Sequence, residues 1–335
     1  MIPERWLQFF GEKTIWIGTF YTVWSHYMKP VIIFRTCFVL LVCLFMACQT
    51  VKNDVVDTAN TSDSETVSEE DTSEDTAIDE DEDTAEDQNE PENPLNMSTG
   101  CGSSRDALGS SIVIEDETRT FVLSLPTDYD SQTAYPLIFA WHGRGGSGMV
   151  AQSYFGLQEV AGSEAIIVYP DGLPQANHNG DTGWEVRASG VDIVFFDNLY
   201  EHMTENSCID LDRVYSTGHS FGGFMTNFLG CQRGNILNAI APVAGGGPWS
   251  SCQDSVAAIL IHGNNDNIVE LSEGESSLSK WKMNNDCSDN STASSEGYCV
   301  SYEMCTNPVE WCEFSGGHTW PSFAAEIIWN FFLSL

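Results

Sequence analysis

Positive charge is scarce in this chain. Its 335 residues hold 13 Lys and Arg against 49 Asp and Glu, a formal net charge of −36. Phosphate backbones are held by basic faces, so a nucleic-acid partner is not expected. The cysteines include no Cys-x-x-Cys pair and no histidine stands beside them. The ligand spacing of a zinc site is therefore missing, and neither a metal nor a cofactor is expected. A long apolar run is missing too: residues 36–47 are apolar but short for a bilayer. Residues 49–96 contain no aromatic side chain. Within them, residues 54–93 carry 18 Asp or Glu and no Lys or Arg, half of the net charge. Such a segment cannot bury enough apolar surface to fold, and its like charges keep it extended. It repeats acidic units such as Glu74-Asp75-Thr76-Ala77 and lacks the glycine and ligand spacing of a calcium loop.

What is present divides the chain in three. Residues 1–27 show no clear period, and Met28 is a candidate start. Lys29 and Arg35 precede the apolar residues 36–47, the order of a secretory signal. That run ends Leu44-Phe45-Met46-Ala47-Cys48, which resembles a bacterial lipobox with Cys48 as the lipidated residue, although Met46 departs from the usual small residue. Plain secretion and an uncleaved anchor are the alternatives. We therefore read residues 1–48 as an extension and signal or lipoprotein segment, 49–96 as a disordered acidic linker, and 97–335 as a catalytic domain. The protein is expected outside the cell or on its surface, as a monomer, touching membrane only through that segment. Eight cysteines fall in the folded part: Cys101, Cys208, Cys231, Cys252, Cys287, Cys299, Cys305 and Cys312. An even number in an exported chain predicts disulfides, with the pairing left open by spacing.

Strands and helices alternate along the folded part. Residues 112–115 and 120–125 flank Asp116-Glu117-Thr118 and predict an antiparallel hairpin. Continuous apolar runs at 136–141, 165–169, 239–243 and 256–261 predict strands covered on both faces. Residues 192–203 place Ile193, Phe196, Leu199, Tyr200 and Met203 at helical spacing, and residues 323–335 predict a closing helix. This alternation predicts an α/β fold, a mostly parallel central sheet with helices on both faces.

The chemistry centres on Val214-Tyr215-Ser216-Thr217-Gly218-His219-Ser220-Phe221-Gly222-Gly223. An apolar strand runs into Gly-x-Ser-x-Gly and a helical pattern follows, the context of the nucleophile elbow of an α/β-hydrolase. The two glycines give room to a sharp turn that projects Ser220, and the N–H of Phe221 faces a developing oxyanion. The loop His142-Gly143-Arg144-Gly145-Gly146 follows the first central strand, and the N–H of Arg144 is the candidate second donor. His142 reads as a structural hydrogen-bonder. Asp266 and His318 each occupy a turn later in the chain, and the order Ser220, Asp266, His318 is the order these hydrolases use. An imidazole must take the serine proton before the hydroxyl can attack, and a carboxylate must hold that imidazole's tautomer. Asp171 and His262 compete for the acid and base roles. Trp184 is a candidate wall of the acyl pocket, with plain packing as the alternative, and His219 is a candidate substrate contact.

From about Cys101 onward the chain resembles secreted feruloyl esterases of carbohydrate esterase family one and related poly(3-hydroxybutyrate) depolymerase-like esterases. The pieces that carry the resemblance include Gly100-Cys101-Gly102, Tyr135 through Gly146, Gly183-Trp184, residues 192–197, Arg213 through Gly223, Ala241 through Gly245, His262-Gly263 with Asp266, Trp281 with Cys287, and Gly316-Gly317-His318-Thr319-Trp320-Pro321. The resemblance implies an α/β-hydrolase fold, with Ser220 as nucleophile, Asp266 as acid and His318 as base. It suggests disulfides Cys231–Cys252 and Cys287–Cys305, leaving Cys101–Cys208. Cys299 and Cys312 are extra to the pattern and are candidates to close a hairpin between residues 298–303 and 309–314. The implied substrate is a hydroxycinnamoyl ester on plant polysaccharide, with polyhydroxybutyrate or acetylated xylan as alternatives. A serine peptidase and a non-catalytic surface binding protein are the readings from other classes.

Overall fold

The computed structural model describes residues 96–294 and 297–335. The signal segment, Cys48 and the acidic linker up to residue 95 lie outside the described residues. Among those described, no helix is long and apolar enough to cross a membrane.

The strands and helices in chain order are β1 (Ser111–Ile114), β2 (Glu117–Ser124), β3 (Tyr135–Trp141), α1 (Gly148–Phe155), α2 (Leu157–Ala161), β4 (Ile166–Pro170), β5 (Leu173–Pro174), β6 (Thr182–Gly183) and α3 (Val191–Asn206). There follow β7 (Ile209–His219), α4 (Phe221–Gln232), β8 (Ala239–Val243), β9 (Ala257–Gly263), α5 (Leu271–Asn284), β10 (Ser291–Ala293), β11 (Cys299–Tyr302), β12 (Val309–Phe314) and α6 (Ala324–Leu333). One sheet runs β1-β2-β4-β3-β7-β8-β9-β12-β11-β10. Its middle, from β4 to β12, is parallel, and both ends are antiparallel. The hairpin between β1 and β2 turns on two residues, Glu115 and Asp116, both at positive φ (47° and 71°). It is therefore one residue tighter than the three-residue turn at 116–118 that alternation predicts, because a primed turn matches the twist of its strands.

Side-chain alternation divides the core into two layers. On β3, Leu137, Phe139 and Trp141 join α3, α4 and α5 on one face. Ile138 and Ala140 join α1, α2 and α6 on the other. Every residue of β3, β4, β8 and β9 is buried, which accounts for their continuous apolar runs. Pro136 is tolerated in a central strand because the β3–β7 register shifts between Tyr135 and Leu137.

Among the described residues, four disulfides join Cys101–Cys208, Cys231–Cys252, Cys287–Cys305 and Cys299–Cys312. They fit an extracellular protein, since thiols are kept reduced in the cytosol. Cys299 and Cys312 face each other directly across the β11–β12 pair. At the start of the domain, Ser98 receives Ile209 N–H on its hydroxyl at 2.9 Å and donates that hydroxyl to Ser207 O at 2.6 Å. Beside it Cys101–Cys208 fastens the same segment to the foot of β7.

Candidate active site

Three loops at the carboxyl ends of parallel strands meet here. Ser220 follows β7, Asp266 follows β9 and His318 follows β12. In open α/β sheets that edge is where reactive groups collect. Ser220 has φ 56° and ψ −118°, a backbone conformation that costs a non-glycine residue about 1–3 kcal/mol. The surroundings hold it there: Ser220 N–H donates to Val243 O at 3.0 Å. Gly218 permits the turn because a Cβ there would meet Gly222 O at 2.6 Å and Trp141 O at 2.7 Å. A Cβ on Gly222 would collide with the Trp141 carbonyl.

The Ser220 hydroxyl lies 2.7 Å from His318 Nε2, and His318 Nδ1 lies 2.7 Å from Asp266 Oδ2. The other carboxylate oxygen, Oδ1, accepts N–H bonds from Ile268 at 2.9 Å and Val269 at 3.0 Å. Burial alone would raise the Asp266 carboxyl. The hydrogen bonds from His318, Ile268 and Val269 outweigh it and hold the group below the usual carboxylate range. Asp266 is therefore an anion across the neutral range, oriented to fix a proton on His318 Nδ1 and leave Nε2 as the acceptor in its hydrogen bond with the Ser220 hydroxyl.

Facing Ser220 is the loop after β3. Gly145 N–H donates to Thr182 O at 2.8 Å and Gly146 N–H to Gly143 O at 3.0 Å. Thr182 returns its hydroxyl to Gly146 O at 2.6 Å. Among the described residues, the N–H groups of Gly143 and Arg144 have no acceptor. Phe221 opens α4, where N–H groups lack intrahelical acceptors. Free donors thus stand on both sides of the serine. The Arg144 side chain points elsewhere, Nε donating to Asp181 at 3.0 Å and a terminal nitrogen to His178 O at 3.2 Å.

A cavity of about 230 Å³ opens on the serine, lined by Arg144, His178, Val186, Ser220, Phe221, Phe224 and Trp249. Two expected substrate contacts are absent from it. Trp184 is 1% exposed and packs edge-on against Trp141 at 4.9 Å. Its indole N–H donates to His142 O at 2.8 Å. It braces the loop that carries Arg144 and is a core residue, not a pocket wall. His219 is buried as well, its ring 4.9 Å from that of His318 and 5.6 Å from Tyr154. The reason is its place on β7, whose last residues remain inside the sheet.

The remaining candidates are structural. His142 Nε2 accepts the Gly172 N–H at 2.9 Å while Nδ1 donates to Gly143 O at 2.7 Å. Asp171 accepts from Thr120 at 2.7 Å and Gly148 N–H at 2.7 Å. His262 Nε2 donates to Val269 O at 2.9 Å, which secures the Asp266 turn from below. Sequence reasoning missed Phe224, Val186, His178 and Trp249. Phe224 had a signal, lying one helical turn after Ser220 on α4. Trp249 follows Gly246-Gly247-Pro248, which reads as a turn and nothing more.

No protein-family model matches the chain. Feruloyl esterase C of Emericella nidulans is 31% identical over 257 residues, covering 71% of this chain and 91% of that protein. Feruloyl esterase D of Neurospora crassa is 31% identical over 269 residues, covering 70% of this chain and 89% of its own. A solved ferulic acid esterase superposes with a TM-score of 0.50 at 14% identity, over 67% of this chain and 95% of that one, which speaks for the fold. On this fold, and with that identity across most of its length, the chain belongs to the feruloyl esterase family of α/β-hydrolases and is a carboxylic ester hydrolase.

Proposed function

We propose that the enzyme cleaves hydroxycinnamoyl esters of plant polysaccharide, with Ser220 as nucleophile. Ser220 Oγ attacks the ester carbonyl while His318 Nε2 takes its proton. The N–H groups of Phe221 and Arg144 receive the oxyanion. Asp266 stabilises the imidazolium, which then protonates the leaving alcohol. Water, deprotonated by His318, cleaves the acyl-enzyme and restores the serine.

The observation that carries the reading is the cavity beside Ser220. Val186, Phe221, Phe224 and Trp249 make a largely aromatic wall around a space of about 230 Å³. A planar aromatic acyl group fills such walls and stacks on them, whereas an acetyl group leaves most of them wet. The test is a panel of methyl ferulate, acetylated xylan, hydroxybutyrate oligomers and p-nitrophenyl butyrate. Methyl ferulate is expected to give the highest kcat/KM. Faster turnover of acetylated xylan or hydroxybutyrate oligomers would overturn the acyl assignment, and no turnover of any would overturn the catalytic one.

The lipid tether at Cys48 belongs to the same proposal and rests on the residues around it. Mass spectrometry of the mature protein is expected to find Cys48 as a lipidated N-terminal residue. An unlipidated N-terminus beyond it would mean plain secretion.

A further inference from the structure

Trp249 is 68% exposed, yet the backbone beneath it is held from several sides. Asn227 Nδ2 donates to Gly246 O at 3.1 Å, and the Ser277 hydroxyl donates to Gly247 O. The disulfide Cys231–Cys252 closes the chain just beyond. The inner face of the indole lies on Phe224, with ring centroids 5.5 Å apart and planes at 24°. Among the described residues, Phe224 is the aromatic partner of the ring, and its outer region is open. An apolar ring fixed in place but left in water is a preorganised contact surface, because its ordering cost is already met before a ligand arrives.

Phe224 and Trp249 also act as a partition. On one side is the cavity that contains Ser220. On the other is a second cleft of about 430 Å³, lined by Phe224, Trp249, Ile268, Val269, Glu270 and Glu273. Ile268 is 70% exposed, so the apolar lining continues past the tryptophan. Glu270 and Glu273 are exposed at the start of α5 and supply carboxylate acceptors, and the lining contains no Lys or Arg. The cleft also borders the Asp266 turn, since Ile268 and Val269 are the residues whose N–H groups hold that carboxylate.

We propose that this cleft binds a neutral saccharide, the alcohol side of the ester whose acyl group occupies the first cavity. The inference rests on the feruloyl ester reading above. A sugar ring has an apolar C–H face and a rim of hydroxyl groups. The face suits the exposed indole and Ile268, and the hydroxyl hydrogens suit Glu270 and Glu273. Two carboxylates with no cation beside them repel a uronic acid or a phosphate, so the sugar is an uncharged one. One acyl group cannot fill both spaces, because Phe224 and Trp249 stand between them.

Two measurements test this. The first follows tryptophan fluorescence while unesterified xylo-oligosaccharide is added to wild-type protein and to Trp249→Phe. Saturable quenching in the wild type, lost in the variant, is expected; no saturable change in the wild type overturns the proposal. The second compares kcat/KM on a feruloylated xylo-oligosaccharide with kcat/KM on methyl ferulate, in the wild type and in Glu270→Gln/Glu273→Gln. The ratio is expected to fall about tenfold in the variant, through KM. An unchanged ratio overturns the carboxylate contacts. If wild-type enzyme cuts neither ester, the feruloyl reading fails, and the fluorescence titration still decides whether the cleft takes a sugar.

Discussion

Asp266 and His219 both resist protonation, for opposite reasons. Asp266 is held as an anion by its hydrogen bonds, above all from His318, against the opposing effect of burial. His219 is held neutral: burial pushes its imidazole down to about 3, and the neighbouring His318 adds to the effect. Both folded values lie below the unfolded ones, so in each case the unfolded chain binds more protons and stability falls as pH falls. The windows differ. The His219 contribution is complete above about pH 6.5 and is lost progressively towards pH 3. That of Asp266 is complete above about pH 3.9 and is lost below it. Thermal melts across pH are thus expected to show a flatter decline between pH 6.5 and about 4 for His219→Gln. Asp266→Asn is expected to flatten only the most acidic part, and equal flattening over one window would count against this assignment. In activity, Ser220→Ala and Asp266→Asn are each expected to lower kcat by about 10⁴-fold or more, with a melting temperature near wild type for Ser220→Ala and a lower one at neutral pH for Asp266→Asn, which gives up the Asp266 contribution. Ser220, Asp266 and His318 are legible in sequence because each follows a strand at a glycine-marked turn, in hydrolase order. Trp249 is not legible, because its importance lies in exposure and in what stands on either side of it.

At the scale of elements, an internal ion pair ties the antiparallel edge to the helical layer. Arg119 on β2 donates to Asp192 on α3 at 2.6 Å, with side chains 3% and 0% exposed. The guanidinium also lies 3.9 Å over the Phe195 ring and donates to Asp171 O at 3.2 Å. Asp192 accepts the Glu185 N–H at 2.6 Å as well. Removing one partner strands a buried charge, so Arg119→Ala is expected to cost about 3–5 kcal/mol in chemical denaturation. Arg119→Met with Asp192→Leu is expected to recover part of that; a loss below about 1 kcal/mol for the single variant would refute the account. The central strands are legible because burial on both faces writes itself as an apolar run. Helices α1 and α5 are not. Helix α1 begins at Gly148, pressed against Tyr169 O, and α5 buries Gly274 and Ser277 along with Leu278 and Trp281. Small residues at a close helix–sheet approach carry no hydrophobic period. Yet α1 matters to the site: Tyr154 OH accepts the Trp320 N–H at 2.8 Å and Phe155 stacks on Trp320 at 4.1 Å, steadying the turn that carries His318.

Over the whole molecule, the disulfides close loops of very different length. Cys101 and Cys208 are 107 residues apart, Cys299 and Cys312 only 13. If the crosslinks act by limiting the unfolded chain, replacing the first pair with serine is expected to cost about 5 kcal/mol and the second about 3. Denaturant unfolding of the two double variants checks the order, and the reverse order would point to enthalpy in the folded state. That the eight cysteines would pair was legible from their even number in an exported chain. Which would pair was not legible from spacing alone, because partners such as Cys101 and Cys208 are brought together by the sheet.

The fastening at the foot of β7 has a mechanical consequence. Ser220 stands at the opposite end of the same 11-residue strand, about 30 Å away at the rise of an extended chain. A pull on the chain ahead of Asn96 enters the domain beside Cys101–Cys208 and the Ser98 hydrogen bonds, where a covalent crosslink takes the load. The load therefore enters at the base of the sheet, a full strand length away from Ser220, and an enzyme immobilised through its upstream residues is expected to turn over substrate as fast as one in free solution.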